Sequence, residues 1–150
     1  MLDDTIAKAE TLHPAELYQL AAKLLQVEGR EVEAVKWFYI GQLRYRFHLR
    51  ATEPPPHSNE RLLFAALSET VGQPVNRYAF GDVDELSRQM EAALKWDAAH
   101  DNRTTSKSRY PEALAAVRSE MDSFRREMLD RKAEIRRLRE ENGLSNWGEP

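Results

Sequence analysis

Arg44, Arg46, His48 and Arg50 crowd the stretch 44–50, directly after three adjacent aromatics, Trp37, Phe38 and Tyr39. Guanidinium groups fork onto phosphate and carboxylate, and aromatic faces stack on bases or flat rings, so these residue types have the ingredients of a nucleotide or nucleic-acid site. Helical spacing argues for a different use. Adjacent helical residues point about 100 degrees apart, so the three aromatics cannot form one platform. They are expected to pack on neighbouring helices on several sides, with the Tyr39 hydroxyl and the Trp37 indole reaching polar partners. Arg46 and Arg50 share one helix face and Arg44 and His48 another, so the four do not converge on a point. Internal salt bridges are expected instead, because a helix this apolar needs acidic partners for any arginine it partly buries.

The remaining candidates are sparser. His13, His48, His57 and His100 include no pair at a metal-binding helical spacing, and no metal site is expected. His100 with Asp97 and Asp101 comes nearest to a ligand set and reads as a solvated helix end. Asp82, Asp84 and Glu85 gather at a helix start, where the local dipole stabilises acids and where a basic partner would meet them. The sequence has no phosphate loop, dinucleotide fingerprint, nucleophile elbow or zinc signature. No catalytic residue and no cofactor are expected.

These residues must be positioned by helices. Pro14 suits a first helical position, and Leu17, Leu20, Leu24 and Val27 recur at steps of three and four before Gly29. The next helix, from about Arg30 to Leu49, is apolar around most of its circumference and should be central. "ATEPPPHSNE", residues 51–60, breaks the chain, since prolines lack the amide donor and constrain their predecessors. Asn59 is then read as the cap of a helix carrying Leu62, Leu63, Ala66, Leu67 and Val71, with Gly72 as its left-handed terminator. "GQPVNRYAFGD" reads as a turn-rich connection, and Asp82 with Glu85 as a capping box that starts a helix on Val83, Leu86, Met90, Ala93 and Leu94. After a polar break at 100–111, Leu114, Val117, Met121, Phe124, Met128, Arg131, Ile135 and Leu138 alternate steps of four and three along one long helix. Pairs such as Asp122 with Arg126 add only about 0.2 to 0.5 kcal/mol each, so the seam must hold that helix. Gly143 ends it and 144–150 is a short tail. The expected fold is all-α: a single-domain bundle of about five helices with a long C-terminal helix, residues 1–150.

Composition bounds the function. The chain has 150 residues, no cysteine, and 22 Lys plus Arg against 25 Asp plus Glu, a formal charge of −3. A chain of this length buries roughly 68 to 70 per cent of its unfolded surface, enough for a core without staples. Lack of cysteine removes disulfides and thiol chemistry and fits a reducing compartment, the cytoplasm. The acidic start "MLDDTIAKAE" lacks the basic flank of an export signal, and charge interrupts every apolar segment before the roughly 20 residues that a bilayer needs. The near-neutral balance argues against nucleic acid and for a protein partner or none.

The phrases "EAVKWFYIGQLRYRFHL" and "VGQPVNRYAFGDVDEL", joined by a helix running from Asn59 to Gly72, resemble a family of small bacterial helical proteins. Members act as immunity proteins for secreted antibacterial toxins, including type VI secretion effectors. The resemblance covers roughly residues 30 to 97 and is carried by Trp37, Phe38, Tyr39, Gly41, Gln42, Arg44, Arg46, Asn76, Phe80, Gly81, Asp82, Trp96 and Asp97; the charged helix after residue 110 lies outside it. It implies a cytoplasmic protein that binds one cognate toxin domain and occludes its active site or substrate entry. No contact residue carries over, because immunity surfaces change with the toxin they match.

Charge and expected exposure nominate Asp82, Asp84, Glu85, Arg125 and Arg131 as partner-binding residues. Two other readings stay open. One is a helical scaffold or adaptor that dimerises through the 114–138 seam; the other is an RNA- or nucleotide-binding module using Arg44, Arg46 and Arg50.

Overall fold

A computed structural model describes residues 1–149. Eight α-helices and one 3-10 turn, Ala9–Thr11, occur among the described residues, and no strand. They are α1 (Leu2–Ala7), α2 (Pro14–Leu25), α3 (Glu31–Thr52), α4 (Asn59–Thr70), α5 (Gly72–Ala79), α6 (Val83–Ala99), α7 (Pro111–Asp130) and α8 (Lys132–Glu141). The all-α expectation holds, but the count of about five helices does not.

Helix α3 is central, as its all-round apolar sequence requires. Trp37, Phe38, Tyr39, Ile40 and Leu43 are each at most 2% exposed. Helices α2 and α6 pack most extensively against it, with α7 and α5 completing the surround. The three aromatics diverge as helical geometry demands: Trp37 meets Trp96 edge-on at 5.2 Å, while Phe38 lies edge-on to Tyr18 at 5.1 Å. The Tyr39 hydroxyl donates to Asn76 Oδ1 at 2.7 Å. The Trp37 indole N–H does not reach a polar partner among the described residues. The ring instead meets Trp96 edge-on, with Lys36 Nζ 5.2 Å from its centre, which corrects the expectation for that group.

Gly41 lets α2 and α3 approach closely: a Cβ there would lie 2.9 Å from Tyr18 Cδ1 and 3.2 Å from Leu17 Cβ. Tyr18 is itself packed by Phe38, Tyr45 and Phe64 and cannot swing away. Gly41→Ala gains about 1 kcal/mol of helix propensity but meets an overpacking cost of about 1 to 3 kcal/mol. A net loss of about 1 kcal/mol is expected in urea unfolding; a stabilised variant would show that the interface yields.

Local chemistry sets the helix ends, in places differently from expectation. His13 caps α2: its Nδ1 accepts from the Ala15 N–H at 3.0 Å, and Glu16 accepts from the His13 N–H at 3.3 Å. Ser58, not Asn59, caps α4, accepting from the Arg61 N–H. Gly72 is no left-handed terminator. It opens α5, a helix where a turn-rich connection was expected, and a Cβ on it would sit 3.3 Å from Phe38 Cζ. Pro74 lies in the first turn of α5, where its missing N–H leaves no intrahelical bond unmade. Asp82 caps α6, accepting from the Glu85 N–H at 3.0 Å.

The long C-terminal helix is two helices. At Arg131 the backbone leaves helical geometry (φ −102°, ψ 15°), and its N–H is shared between the Glu127 and Met128 carbonyls. The break lets α8 and the following segment follow the domain surface. Trp147 stacks on Tyr78 with ring centres 4.8 Å apart and donates to the Tyr78 carbonyl at 2.7 Å. The Gly148 N–H donates to the Gly81 carbonyl. Gly81 is required here, since a Cβ would lie 2.4 Å from Trp147 Cδ1. Residues 144–149 of the expected tail therefore pack back on the turn between α5 and α6; Pro150 lies outside the described residues.

Candidate functional site

The two polar faces of α3 have different fates. On one, Arg44 is 1% exposed and donates from Nε to Asp97 Oδ1 at 2.9 Å, with its terminal nitrogens on the carbonyls of Asp101 and His100. Asp97, also 1% exposed, accepts a second guanidinium from Arg118 at 2.7 Å. The Trp96 ring lies 4.7 Å below the Arg44 guanidinium, and His100 stacks on Trp96 at 4.2 Å. Burial pulls the Arg44 pKa down and the Asp97 charge pulls it back. Lys107 Nζ donates to the carbonyls of Asp97 and His100. This knot fastens the 100–110 loop to α3, α6 and α7. Asp97 and His100 do not form the solvated helix end that was expected: one carboxylate balances two guanidiniums inside the protein.

The opposite face carries Gln42, Arg46 and Arg50 at steps of four, and it lies open between α4 and α7. A cavity of ≈ 220 Å³ there is floored by Tyr39, Gln42, Leu43 and Arg46, with Asn76 of α5, Met90 of α6 and Val117, Glu120, Met121 and Phe124 of α7 as walls. A second depression of ≈ 380 Å³ shares Arg46, Val117 and Glu120 with it and continues past Arg50 to Arg61 and Phe64 of α4. Together they form one groove along α3. Arg50 pairs with Glu120 at its edge. Arg46 is exposed and has no hydrogen-bond or ion-pair partner among the described residues. Burial raises the Tyr39 phenol well above its ordinary pKa, so the group stays a neutral donor to Asn76 in the groove floor.

The first cavity, mainly apolar with an uncommitted guanidinium, suits a polypeptide bearing a carboxylate among apolar side chains, while the second is lined largely by charged residues, Arg46, Arg50, Glu53, Arg61 and Glu120. Arginine, methionine and aromatic residues are the types enriched where protein interfaces bury their cores. Phe124 in the groove wall is 43% exposed, and Leu62 and Leu63 of α4 are exposed as well.

The nominated partner-binding residues are already engaged internally. Asp82 is a helix cap with Gly148 against it, Asp84 pairs with Lys132, and Glu85 pairs with Arg88. Arg125 reaches Asp122, Ser87 and Glu91, and Arg131 reaches Glu134 and Glu127. Asp82 and Glu85 lie beside the returning C-terminal segment and Asp84 beside α8; none of the five lines the groove. Val117, Met121 and Met128 of the seam are buried against the protein's own domain, and Arg44 of the three-arginine set is inside it.

Sequence spacing missed a third cluster. His13 at the start of α2, His48 on α3 and Glu60 on α4 bring one ligand-type atom each within 4.8 Å of one another. His48 Nε2 lies 2.7 Å from Glu60 Oε1 and its Nδ1 lies 2.8 Å from Thr105 Oγ1. Three separate elements supply the three residues, so no single-helix signature announces them.

An uncharacterized protein of Haemophilus influenzae is 37% identical to the chain over 89 residues, which make up 59% of this chain and 34% of that protein. The chain thus spans about a third of the length of this curated relative. No family model matches the chain, and no solved structure does. No helix among the described residues is long and apolar enough to cross a membrane.

Proposed function

We propose that the chain is an immunity-type binding protein of the bacterial cytoplasm, which neutralises one cognate toxin domain by seating a segment of it in the groove over α3. One observation carries this reading. Among the residues that carry the resemblance to immunity proteins, Tyr39, Gln42, Arg46 and Asn76 meet in a single cavity, and Gln42 and Arg46 have no internal task there. Most of the others, Trp37, Phe38, Arg44, Trp96 and Asp97 among them, hold the core.

The mechanism is occlusion. A guest segment seated against Leu43, Met90, Val117 and Met121 would exclude water around the Arg46 guanidinium and so strengthen its attraction for a carboxylate. Charge complementarity at the open face would also speed capture. A dimer through the 114–138 seam is less well supported, because Val117, Met121 and Met128 of that seam are already buried in the protein's own domain, leaving Phe124 and Leu138 as its exposed large apolar residues.

Tagged protein used as bait in its own bacterium should return one stoichiometric toxin-domain partner, and co-expression with that partner should restore growth. Arg46→Glu is expected to weaken the complex by about 2 kcal/mol or more, roughly thirtyfold in Kd, with the unfolding midpoint unchanged. A partner bound equally well by the variant would move the interface elsewhere, and a bait that neither captures nor rescues would end the immunity reading.

A further inference from the structure

We infer that His13, His48 and Glu60 form a binding site for one divalent transition-metal ion, with zinc as the expected occupant. Two imidazoles and one carboxylate are the ligand set that such ions favour over calcium or magnesium, and three protein ligands leave a position for water. Their ligand-type atoms already lie within 4.8 Å of one another, so modest side-chain adjustment brings them around one centre.

The surroundings fit a ligand role. His48 is buried, and Thr105 Oγ1 stands 2.8 Å from its Nδ1, the outer hydrogen bond that fixes a ligating imidazole with Nε2 toward the ion. Glu60 Oε1 faces that same Nε2 at 2.7 Å, so an ion would replace the proton the two now share. On His13 the Ala15 N–H occupies Nδ1, which leaves Nε2 as the free nitrogen. Ligation through Nε2 moves the ring proton to Nδ1, and the Ala15 N–H then loses its acceptor. The ion therefore substitutes for the cap as the anchor of the first turn of α2.

The role that follows is structural. The ligands come from α2, α3 and α4, and α4 has no fully buried residue of its own. An ion here would clamp α4, one wall of the groove, to the centre of the fold, and would stabilise the folded chain by linkage. The site does not depend on the identity of any protein partner.

The test is a Zn2+ titration of chelator-stripped protein by calorimetry, with a parallel thermal-unfolding series and Co2+ absorption as a reporter of coordination. Uptake of one ion per chain is expected, with a rise in Tm that a chelator reverses. His13→Asn keeps a side-chain acceptor for the α2 cap, and Glu60→Gln keeps the shape of the third ligand. Each should weaken Zn2+ binding by at least about tenfold while leaving the helical circular-dichroism spectrum intact, and Thr105→Val should weaken it by about 10- to 100-fold. Absence of one-to-one uptake overturns the proposal, as does uptake that His13→Asn and Glu60→Gln leave unchanged.

Discussion

Asp97→Ala is expected to lower the unfolding free energy by about 3 to 5 kcal/mol, the range for removing one member of a buried ion pair. The reason is what stays behind. Arg44 is 1% exposed and cannot be deprotonated at any working pH, so without Asp97 it is a buried charge facing only carbonyl dipoles and the Trp96 ring. Arg118 is part-exposed and can turn to water, so it contributes little to the loss. Guanidinium chloride unfolding of the variant measures the cost directly. A double replacement, Asp97→Leu with Arg44→Met, should recover most of it, because an apolar pair of similar volume avoids desolvating either charge. A single variant that loses less than about 1 kcal/mol would mean that water reaches the knot.

Phe38→Ala should cost about 3 to 5 kcal/mol as well, through a different mechanism. The ring is 1% exposed, edge-on to Tyr18 and Tyr39, and touches the backbone of α5 at Gly72. Truncation leaves a cavity between the Tyr18 and Tyr39 rings and the α5 backbone, which close-packed neighbours fill only partly. Equilibrium urea unfolding is the measurement, and a change within the roughly 0.5 kcal/mol usual for surface positions would contradict the central place of α3.

The centrality of α3 was legible because apolar residues cover its whole circumference, a pattern that only a surrounded helix tolerates. So were the breaks within 51–60 and 100–111, which are narrower in the fold at 53–58 and 100–110, the cap at Asp82, and Gly29 and Gly143, both of which take positive φ. Helix α5 was not legible. Gly72 and Pro74 are turn residues by propensity, yet here the glycine makes room for Phe38 and the proline sits where its missing donor costs nothing. The period of the 114–138 seam runs straight through the break at Arg131, so side-chain spacing alone could not reveal it.

Site residues escaped for a related reason. Charge and expected exposure nominated Asp82, Asp84, Glu85, Arg125 and Arg131, but a charged residue looks equally available in sequence whether or not an opposite charge waits across the fold. Arg46 was seen among its neighbours, and its isolation becomes visible only once Arg44 is placed on Asp97 and Arg50 on Glu120. His13, His48 and Glu60 meet through the packing of α2, α3 and α4, which no one-dimensional spacing encodes.

Helix α4 has one more consequence. With Phe64 and Leu67 only partly covered and no side chain fully inside, it holds on through Glu60, the cap at Ser58 and the bond from Arg61 to the Pro54 carbonyl. Segments with so few buried contacts open at a small fraction of the global unfolding energy. The two sides of the groove are thus unequally held: α7 by the buried Val117, Met121 and Met128, and α4 by partly covered side chains and polar contacts. Under the proposed immunity function, this difference would let a bulkier or smaller guest segment be accommodated on the α4 side alone, with the adjustment confined to a few turns of chain.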